Sequence, residues 1–266
     1  MLTQDEISQA AADLDAAERK RLQIGLLSLR HPTMTMEDAY AVQKSWVVRK
    51  LEAGRTVIGW KIGLTSKAMQ SALNIDIPDS GVLFDDMLFE DGATVPRGRF
   101  IQPRIEAEIA FVMKSSLQGK VGIEEVLAAT DHVVPALEIL DTRVLRVDPQ
   151  TKKARTIVDT IADNAANAGI VLGRQKFAPR GVDLRRMGAI VSRNGEVEET
   201  GLGAGVLDHP ARGIVWLAER LARYGGALKP GEIVLSGSFI RPIEARPGDT
   251  IAADFGSHGS VGCSFA

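Results

Sequence analysis

The sequence predicts an α+β fold in which a small helical N-terminal part precedes a larger β-rich body. Residues 1–56 carry apolar side chains at helical spacing, whereas the segments from Val57 onward are short, rich in β-branched residues and broken by glycine. The pair Asn194-Gly195 between two strand-like runs predicts a hairpin, which argues against a uniformly parallel sheet. We therefore expect a helical cap over residues 1–56 and a mixed-sheet body over residues 57–266, together forming one structural domain.

Two helices are predicted in the N-terminal part. Thr3 and Glu6 form the T-x-x-E pattern of a capping box at the start of the first helix. The second helix begins after Thr35 and ends before Gly54. Its apolar stripe consists of Ala39, Val42, Trp46 and Leu51. Such helices ordinarily cover a hydrophobic core, and this is the role we expect for them.

The body is predicted to contain short strands and one long helix. The strand-like segments are 57–61, 81–84, 105–112, 133–140, 189–193, 196–199, 233–236, 250–255 and 260–265. The helix runs from Pro210 to Tyr224 and is followed by Gly225-Gly226. Repeats and low-complexity tracts are absent from the sequence, which favours a single continuous body.

Composition and charge exclude several classes of function. The 32 basic and 34 acidic residues leave a net charge of −2, which provides no electrostatic footprint for nucleic acid or an anionic membrane. The single cysteine, Cys263, excludes an intramolecular disulfide and a thiolate zinc site, and we expect it in the core. The N-terminal segment is polar, and no apolar run approaches the roughly 20 residues of a membrane span. A cytoplasmic protein is therefore expected.

The segment RIEAEIAFV, residues 104–112, is the most informative in the chain. Side chains alternate along a strand, so Glu106 and Glu108 lie on the same face, roughly 7 Å apart along the strand. A third carboxylate, Glu138, interrupts the apolar run VVPALEIL, although spacing alone does not show whether it meets the other two. Glutamate is a poor strand former, so three such residues inside strands need a reason.

A divalent cation would supply that reason. Carboxylates that are brought together repel each other, and burial increases the cost. All-oxygen ligation favours Mg²⁺ or Mn²⁺ over Ca²⁺, and Mg²⁺ usually keeps coordination positions that a substrate can take. The charge left on such a site requires nearby cations, and Lys61 in the segment GWKIGLTS is a candidate acid, base or charge partner. The alternative for Lys61 is an edge-strand lysine in water.

Six segments spread over most of the chain resemble a known family. They are DAYAVQ (38–43), GWKIGLTSKAMQ (59–70), PRIEAEIAFV (103–112), VVPALEILDTR (133–143), DTIADNAANAG (159–169) and SRNGEVEETG (192–201). On these segments the chain resembles the 2-keto-4-pentenoate hydratase and 4-oxalocrotonate decarboxylase family of the fumarylacetoacetate-hydrolase-like superfamily. The stretch 236–249 is more similar to the branch that hydrates the diacid 2-oxohept-4-ene-1,7-dioate.

The resemblance implies a fold, a metal site and two catalytic residues. The implied fold is a mixed β-roll or barrel-like body of the fumarylacetoacetate hydrolase C-terminal type with an N-terminal helical cap. The family's carboxylate ligands for Mg²⁺, with Mn²⁺ as the alternative, match Glu106, Glu108 and Glu138. The family's catalytic lysine matches Lys61, and its acid/base aspartate matches Asp79. Because family members assemble into rings, a homo-oligomer of five or ten chains is expected.

The activity implied is a metal-dependent lyase reaction, the hydration of 2-oxohept-4-ene-1,7-dioate to 4-hydroxy-2-oxoheptanedioate in aromatic catabolism by the homoprotocatechuate pathway. Its partner is then a small 2-oxo acid. The far carboxylate of this diacid needs a cation, for which Arg241 is the candidate, with a plain surface arginine as the alternative. Other activities to weigh are 2-oxo-4-pentenoate hydratase, 4-oxalocrotonate decarboxylase and a carbon–carbon bond hydrolase. A non-catalytic partner subunit of a decarboxylase complex is a fourth alternative, against which the retention of all five site residues argues.

Overall fold

Two β-sheets and a set of mostly short helices make up the computed structural model, which describes residues 1–72, 75 and 77–266. The helices are α1 (Gln4–Lys20), α2 (Leu27–Arg30), α3 (Met36–Glu52), α4 (Lys67–Ala72), α5 (Ile123–Ala129), α6 (Ile157–Ala162) and α7 (Ala211–Arg223). The strands are β1 (Val57–Gly63), β2 (Asp79–Phe84), β3 (Leu88–Glu90), β4 (Thr94–Val95), β5 (Arg104–Met113), β6 (Thr130–Leu140), β7 (Asn167–Leu172), β8 (Gly188–Arg193), β9 (Glu196–Leu202), β10 (Ile233–Leu235), β11 (Ile243–Glu244), β12 (Thr250–Asp254) and β13 (Ser260–Phe265).

Both sheets mix parallel and antiparallel pairs, as predicted for the mixed-sheet body. The larger sheet has the order β2-β1-β10-β5-β6-β7-β3, with β11 paired to β5, and its strands form a half-barrel. The smaller sheet has the order β4-β13-β12-β8-β9. Parallel pairing joins β1 to β10, β3 to β7 and β4 to β13, and the other neighbours are antiparallel. The mixed β-rich body expected from the sequence is therefore confirmed.

The main hydrophobic core lies between the two sheets. One face of β5, which includes Ile105, Ile109 and Phe111, contributes to it from the larger sheet. The smaller sheet contributes Ile251 and, as expected, the buried Cys263. Helix α7 closes the same core with its own buried face.

The opposite face of the larger sheet is apolar at one end and charged at the other. A small cluster that includes Leu83, Ala110 and Leu235 fills the apolar end. Side chains alternate along each strand, so Glu108 shares this face with Ala110, two residues away. The sheet therefore places acidic side chains on a face that neighbouring side chains largely shield from water.

The N-terminal helices form a second hydrophobic cluster against the outer face of β2. Thr3 and Thr35 both make the capping boxes that start α1 and α3, which confirms the predicted start of the first helix. In α3, the fully buried Trp46 packs edge-to-face on Phe84 of β2, with 5.8 Å between the ring centroids. The same cluster includes Val158 of α6, so the division of the chain at residue 56 stays a prediction.

The predicted hairpin is confirmed, whereas several short elements were not predicted from the sequence. Asn194 and Gly195 have φ values of 55° and 84°, the left-handed conformations that a type I′ turn requires. The predicted strands are present, and most extend one to three residues further than the sequence indicated. Strand β7 was not predicted, because its start lies in an Asn- and Ala-rich segment without strand character.

A helix that spans a membrane needs about 20 consecutive, predominantly apolar residues. Within the described ranges, none of the helices is both long enough and apolar enough to cross a bilayer.

Replacing Trp46 by alanine tests how strongly the N-terminal helices are coupled to the body. We expect Trp46→Ala to lower the free energy of unfolding by about 3–5 kcal/mol, because it leaves a cavity against Phe84. Urea denaturation followed by circular dichroism measures the change. On the same helix, Val48 is 43% exposed, and Val48→Ala should change stability by less than about 0.5 kcal/mol. Equal effects of the two substitutions would contradict this packing.

Candidate metal centre and active site

The pairing of β5 with β6 brings the three glutamates together. Glu106 is directly opposite Glu138 in the antiparallel register, and Glu108 follows two residues later on the same face. One carboxylate oxygen from each of the three lies within 4.8 Å of the others. The structure thus places Glu138, which spacing alone could not position, beside the two glutamates of β5.

The glutamate cluster is electrostatically unfavourable without a cation. Glu108 and Glu138 are fully buried, and Glu106 is half-buried. Burial, together with repulsion from Glu138, raises the pKa of Glu106 to about 8 and the pKa of Glu108 well above its ordinary value. A metal ion would relieve both the desolvation and the repulsion.

The hydrogen bonds of the buried glutamates leave oxygens available for a metal. Glu108 accepts a 2.7 Å bond from the Gly237 amide through Oε2, and its Oε1 has no hydrogen-bond partner among the described residues. Glu138 accepts a 2.8 Å bond from Asn167 Nδ2 through Oε1, and its Oε2 has no partner in the same part of the chain. Buried carboxylate oxygens seldom stay unpaired. Glu108 and Glu138 therefore each have one oxygen held by a hydrogen bond and one oxygen free to bind a metal. This arrangement fits a divalent cation held by carboxylates.

Lys61 is the cation beside this cluster. It projects from β1 and is only 3% exposed, which contradicts the alternative of an edge-strand lysine in water. Its Nζ lies 3.3 Å from Glu138 Oε1 and donates a 3.0 Å hydrogen bond to the Ala165 carbonyl. Burial disfavours the ammonium, but the charges of Glu138 and Asp79 outweigh burial and raise the pKa of Lys61. Lys61 therefore carries a positive charge next to the acidic cluster.

Asp79 and Lys61 converge over a glycine. Asp79 begins β2 and pairs in register with Gly63 of β1. A Cβ on Gly63 would lie 2.2 Å from Asp79 Oδ1 and 2.9 Å from Lys61 Nζ, so no larger residue fits there. Burial raises the pKa of Asp79, although the charge of Lys61 partly opposes the shift. The pair consists of a charged donor and a carboxyl group that accepts protons more readily than usual, which suits it to proton transfer.

Arg241 lies at the rim of a cleft that opens onto Glu106. The cleft has a volume of about 300 Å³, and its walls include Glu106, Thr65 and Arg241. The Arg241 side chain is 82% exposed and makes a 2.6 Å ion pair with Glu199 across the rim. Arg241 therefore lines the same cleft as Glu106, but its guanidinium is held at the edge by another carboxylate.

Three groups in this site were not singled out from the sequence. They are the Gly237 amide, the Asn167 side chain and the Ala165 carbonyl, and each hydrogen-bonds to a residue that was singled out. Asn167 lies in the segment DTIADNAANAG, which was noted only as part of a resemblance. The other two are backbone groups, and a sequence carries no signal for them because nearly every residue has the same ones.

The chain is similar along nearly its whole length to two proteins of known activity. It is 52% identical to the 2-oxo-hept-4-ene-1,7-dioate hydratase of Escherichia coli over 256 residues, which cover 96% of each chain. It is 41% identical to the 2-keto-4-pentenoate hydratase of Paraburkholderia xenovorans (strain LB400), over 99% of this chain and 96% of that protein. No protein-family model matches the chain.

Solved structures show the same fold. The 4-oxalocrotonate decarboxylase from Pseudomonas putida G7, complexed with magnesium and adipate, superposes with a TM-score of 0.94 and is 33% identical. The match covers 100% of this chain and 99% of that one. A fumarylacetoacetate hydrolase family protein from Yersinia pestis CO92, at 16% identity and a TM-score of 0.58 over 78% of this chain and 92% of that one, shares the fold alone. The expected barrel-like body of the fumarylacetoacetate hydrolase type is thereby confirmed.

Sequence identity and structural superposition identify the same group of proteins as relatives of this chain. The hydratases and the decarboxylase among these relatives all match this chain from end to end. The chain therefore belongs to the 2-keto-4-pentenoate hydratase and 4-oxalocrotonate decarboxylase family.

Proposed function

We propose that the protein is a magnesium-dependent hydro-lyase that adds water to 2-oxohept-4-ene-1,7-dioate and yields 4-hydroxy-2-oxoheptanedioate, a step of aromatic catabolism. The observation that carries the proposal is the cluster of Glu106, Glu108 and Glu138 beside Lys61 and Asp79. The 52% identity to a hydratase of this substrate supports the choice of reaction.

The glutamates are the proposed ligands of the metal. Three carboxylate ligands leave three positions of an octahedral Mg²⁺ for water or substrate. Related structures hold magnesium or calcium, and Mg²⁺ is favoured because a tightly bound ion with open positions suits a small chelating acid. Mn²⁺ prefers the same oxygen ligands and is the alternative. When bound, the cation supplies Lewis acidity toward a 2-oxo carboxylate.

Lys61 and Asp79 are the proposed proton carriers. Hydration of a 4-ene acid first requires the loss of a proton from C3 and the return of one at C5, which moves the double bond next to the oxo group. Water then adds its oxygen to C4, and a proton returns to C3. Lys61 is a donor fixed by two acceptors, and Asp79 is a buried carboxyl group beside it. In this proposal both act on a substrate that the metal holds beside them.

A decarboxylase of the same family is the second candidate. The solved 4-oxalocrotonate decarboxylase superposes on the chain with a TM-score of 0.94, so the fold does not separate the two activities. That enzyme was solved with adipate, a six-carbon diacid, and this supports the choice of a diacid substrate. A diacid substrate is accordingly part of the proposal for this chain.

We also propose that the protein assembles as a homo-oligomer of five or ten chains and works in the cytoplasm. Both expectations rest on the family resemblance. Sedimentation velocity of the purified protein tests the first, and fractionation of source cells tests the second.

Metal removal and substrate choice test the reaction together. We expect purified protein with Mg²⁺ to consume both 2-oxohept-4-ene-1,7-dioate and 2-oxo-4-pentenoate, with a higher kcat/KM for the diacid. A chelator should abolish both activities, and Mg²⁺ should restore them. The readouts are the absorbance of the unsaturated acid and the identity of the product by mass spectrometry. Release of CO₂ from 4-oxalocrotonate, without hydration of either acid, would establish the decarboxylase instead.

Replacing a single ligand tests the metal centre. We expect Glu106→Gln or Glu108→Gln to weaken Mg²⁺ binding by more than about tenfold, because one anionic ligand is lost. Isothermal titration calorimetry measures the affinity directly, and kcat should fall in parallel. Glu196 lies exposed on β9, and Glu196→Gln serves as the matched control with unchanged affinity. Wild-type affinity in both site variants would rule out these ligands.

Arg241 is the proposed partner of the far carboxylate of the substrate. We expect Arg241→Ala to raise KM for the seven-carbon diacid by about tenfold, the effect of a charge-assisted hydrogen bond at a partly solvated site. KM for 2-oxo-4-pentenoate, which has no second carboxylate, should stay constant. Arg246, similarly exposed and paired with Glu244, provides the control Arg246→Ala. Equal changes in KM for the two substrates would contradict the assignment.

A further inference from the structure

A turn of unusual backbone conformation lies next to Lys61. Asn164, Ala165 and Ala166 have φ values of 52°, 52° and 61°, so three consecutive residues are left-handed and none of them is glycine. Asparagine tolerates this conformation, but alanine rarely adopts it because its Cβ crowds the carbonyl oxygen. We refer to residues 164–166 as the left-handed turn. Its conformation must be imposed by its surroundings.

The side chain of Asn164 ties the left-handed turn to β2. Its Oδ1 accepts a 2.8 Å hydrogen bond from the Val82 amide, and its Nδ2 donates a 2.9 Å bond to the Val82 carbonyl. The backbone approaches equally closely, because a Cβ on Gly81 would lie 2.4 Å from the Asn164 carbonyl oxygen. The Asn164 side chain therefore makes the hydrogen bonds to Val82 that a neighbouring strand would otherwise make. These bonds fix the start of the left-handed turn.

The end of the left-handed turn is fixed from another direction. The buried guanidinium of Arg143 forms an ion pair with Asp163 and donates a 3.0 Å hydrogen bond to the Asn167 carbonyl. The Asp141 amide donates a 2.9 Å bond to the Ala166 carbonyl. The residues on both sides of the turn are thus tied to the segment that follows β6.

The left-handed turn directs two groups at the acidic cluster. The Ala165 carbonyl accepts the 3.0 Å hydrogen bond from Lys61 Nζ. The residue after the turn, Asn167, donates its 2.8 Å bond to Glu138 Oε1, the oxygen that lies 3.3 Å from the same Nζ. One short buried segment therefore contacts both the lysine and the glutamate that the lysine faces.

We infer that the left-handed turn is a positioning device that fixes Lys61 Nζ and Glu138 relative to each other, and that Asn164 is the positioning residue that holds it. A right-handed or extended backbone at Ala165 would direct its carbonyl elsewhere, and Lys61 would lose one of its two fixed acceptors. The inference rests on the proposed function for its catalytic consequence, but its geometric content is independent of that function.

The variant Asn164→Ala tests the inference, because it removes both bonds to Val82 and leaves Lys61, Asp79 and the glutamates intact. We expect kcat for 2-oxohept-4-ene-1,7-dioate to fall at least about tenfold, as displaced catalytic groups do, while KM stays within about twofold. A matched control is Asn194→Ala. Asn194 is also left-handed, with a φ of 55°, and its side chain bonds Asp249 and the Thr250 amide, both at 2.8 Å. This control should lose stability without losing kcat.

A second readout does not depend on turnover. In protein labelled with ¹⁵N at lysine Nζ, the ammonium of Lys61 should exchange its protons with water slowly in the wild type and at least about tenfold faster in Asn164→Ala. Should Asn164→Ala not fold, Asn164→Gly, which also removes both bonds to Val82 but adopts the left-handed conformation without strain, replaces it in both measurements. Unchanged kcat together with unchanged proton exchange would overturn the inference. An inactive wild type would refute the proposed function instead, and the exchange measurement would still decide the role of the turn.

Discussion

The antiparallel register of β5 on β6 is the constraint on which the rest of the site depends. It sets Glu106 opposite Glu138, with Glu108 on the same face, and a slip of one residue would turn the glutamates of β5 into the main core. Long strands and an apolar opposite face hold this register, so the packing that stabilises the body also forces the carboxylates together. Repulsion between them is then unavoidable in the folded chain, and the surrounding residues are best understood as responses to it.

Those responses are of two kinds. Charge is supplied by Lys61, which is held between Glu138 and a backbone carbonyl, and space is made by residues without side chains, such as Gly63. The left-handed turn belongs to the same set, at a cost of about 1–2 kcal/mol for each alanine in that conformation. A fold normally avoids such strain, and it persists here because Asn164 and Arg143 determine the backbone from both sides.

Sequence analysis could predict what depends on local pattern. Alternation along one strand was enough to place Glu106 and Glu108 on one face, and capping signals located the start of α1. The position of Glu138 depends on a pairing between strands, which spacing within either strand does not determine. Charge balance made Lys61 a candidate and resemblance added Asp79, but their facing arrangement over Gly63 became visible only in three dimensions. The Ala165 carbonyl had no signal, because its importance lies in a backbone angle and not in a residue type.

The burial of Gln43 in α3 has a consequence for how such chains can recombine. Its side-chain amide donates to the carbonyl of Ser80, next to Asp79, at 2.8 Å, and to that of Ile161 in α6 at 2.9 Å. Nearby, the ring centroid of Trp46 in the same helix lies 5.5 Å from the guanidinium carbon of Arg143. This guanidinium holds the left-handed turn. If the first 56 residues were exchanged between two family members, the side chains that meet at these contacts would come from two different proteins. Productive chimaeras should inherit residues 141–167 from the same parent as the N-terminal helices, because the contacts of Gln43 and Trp46 join these two parts of the chain.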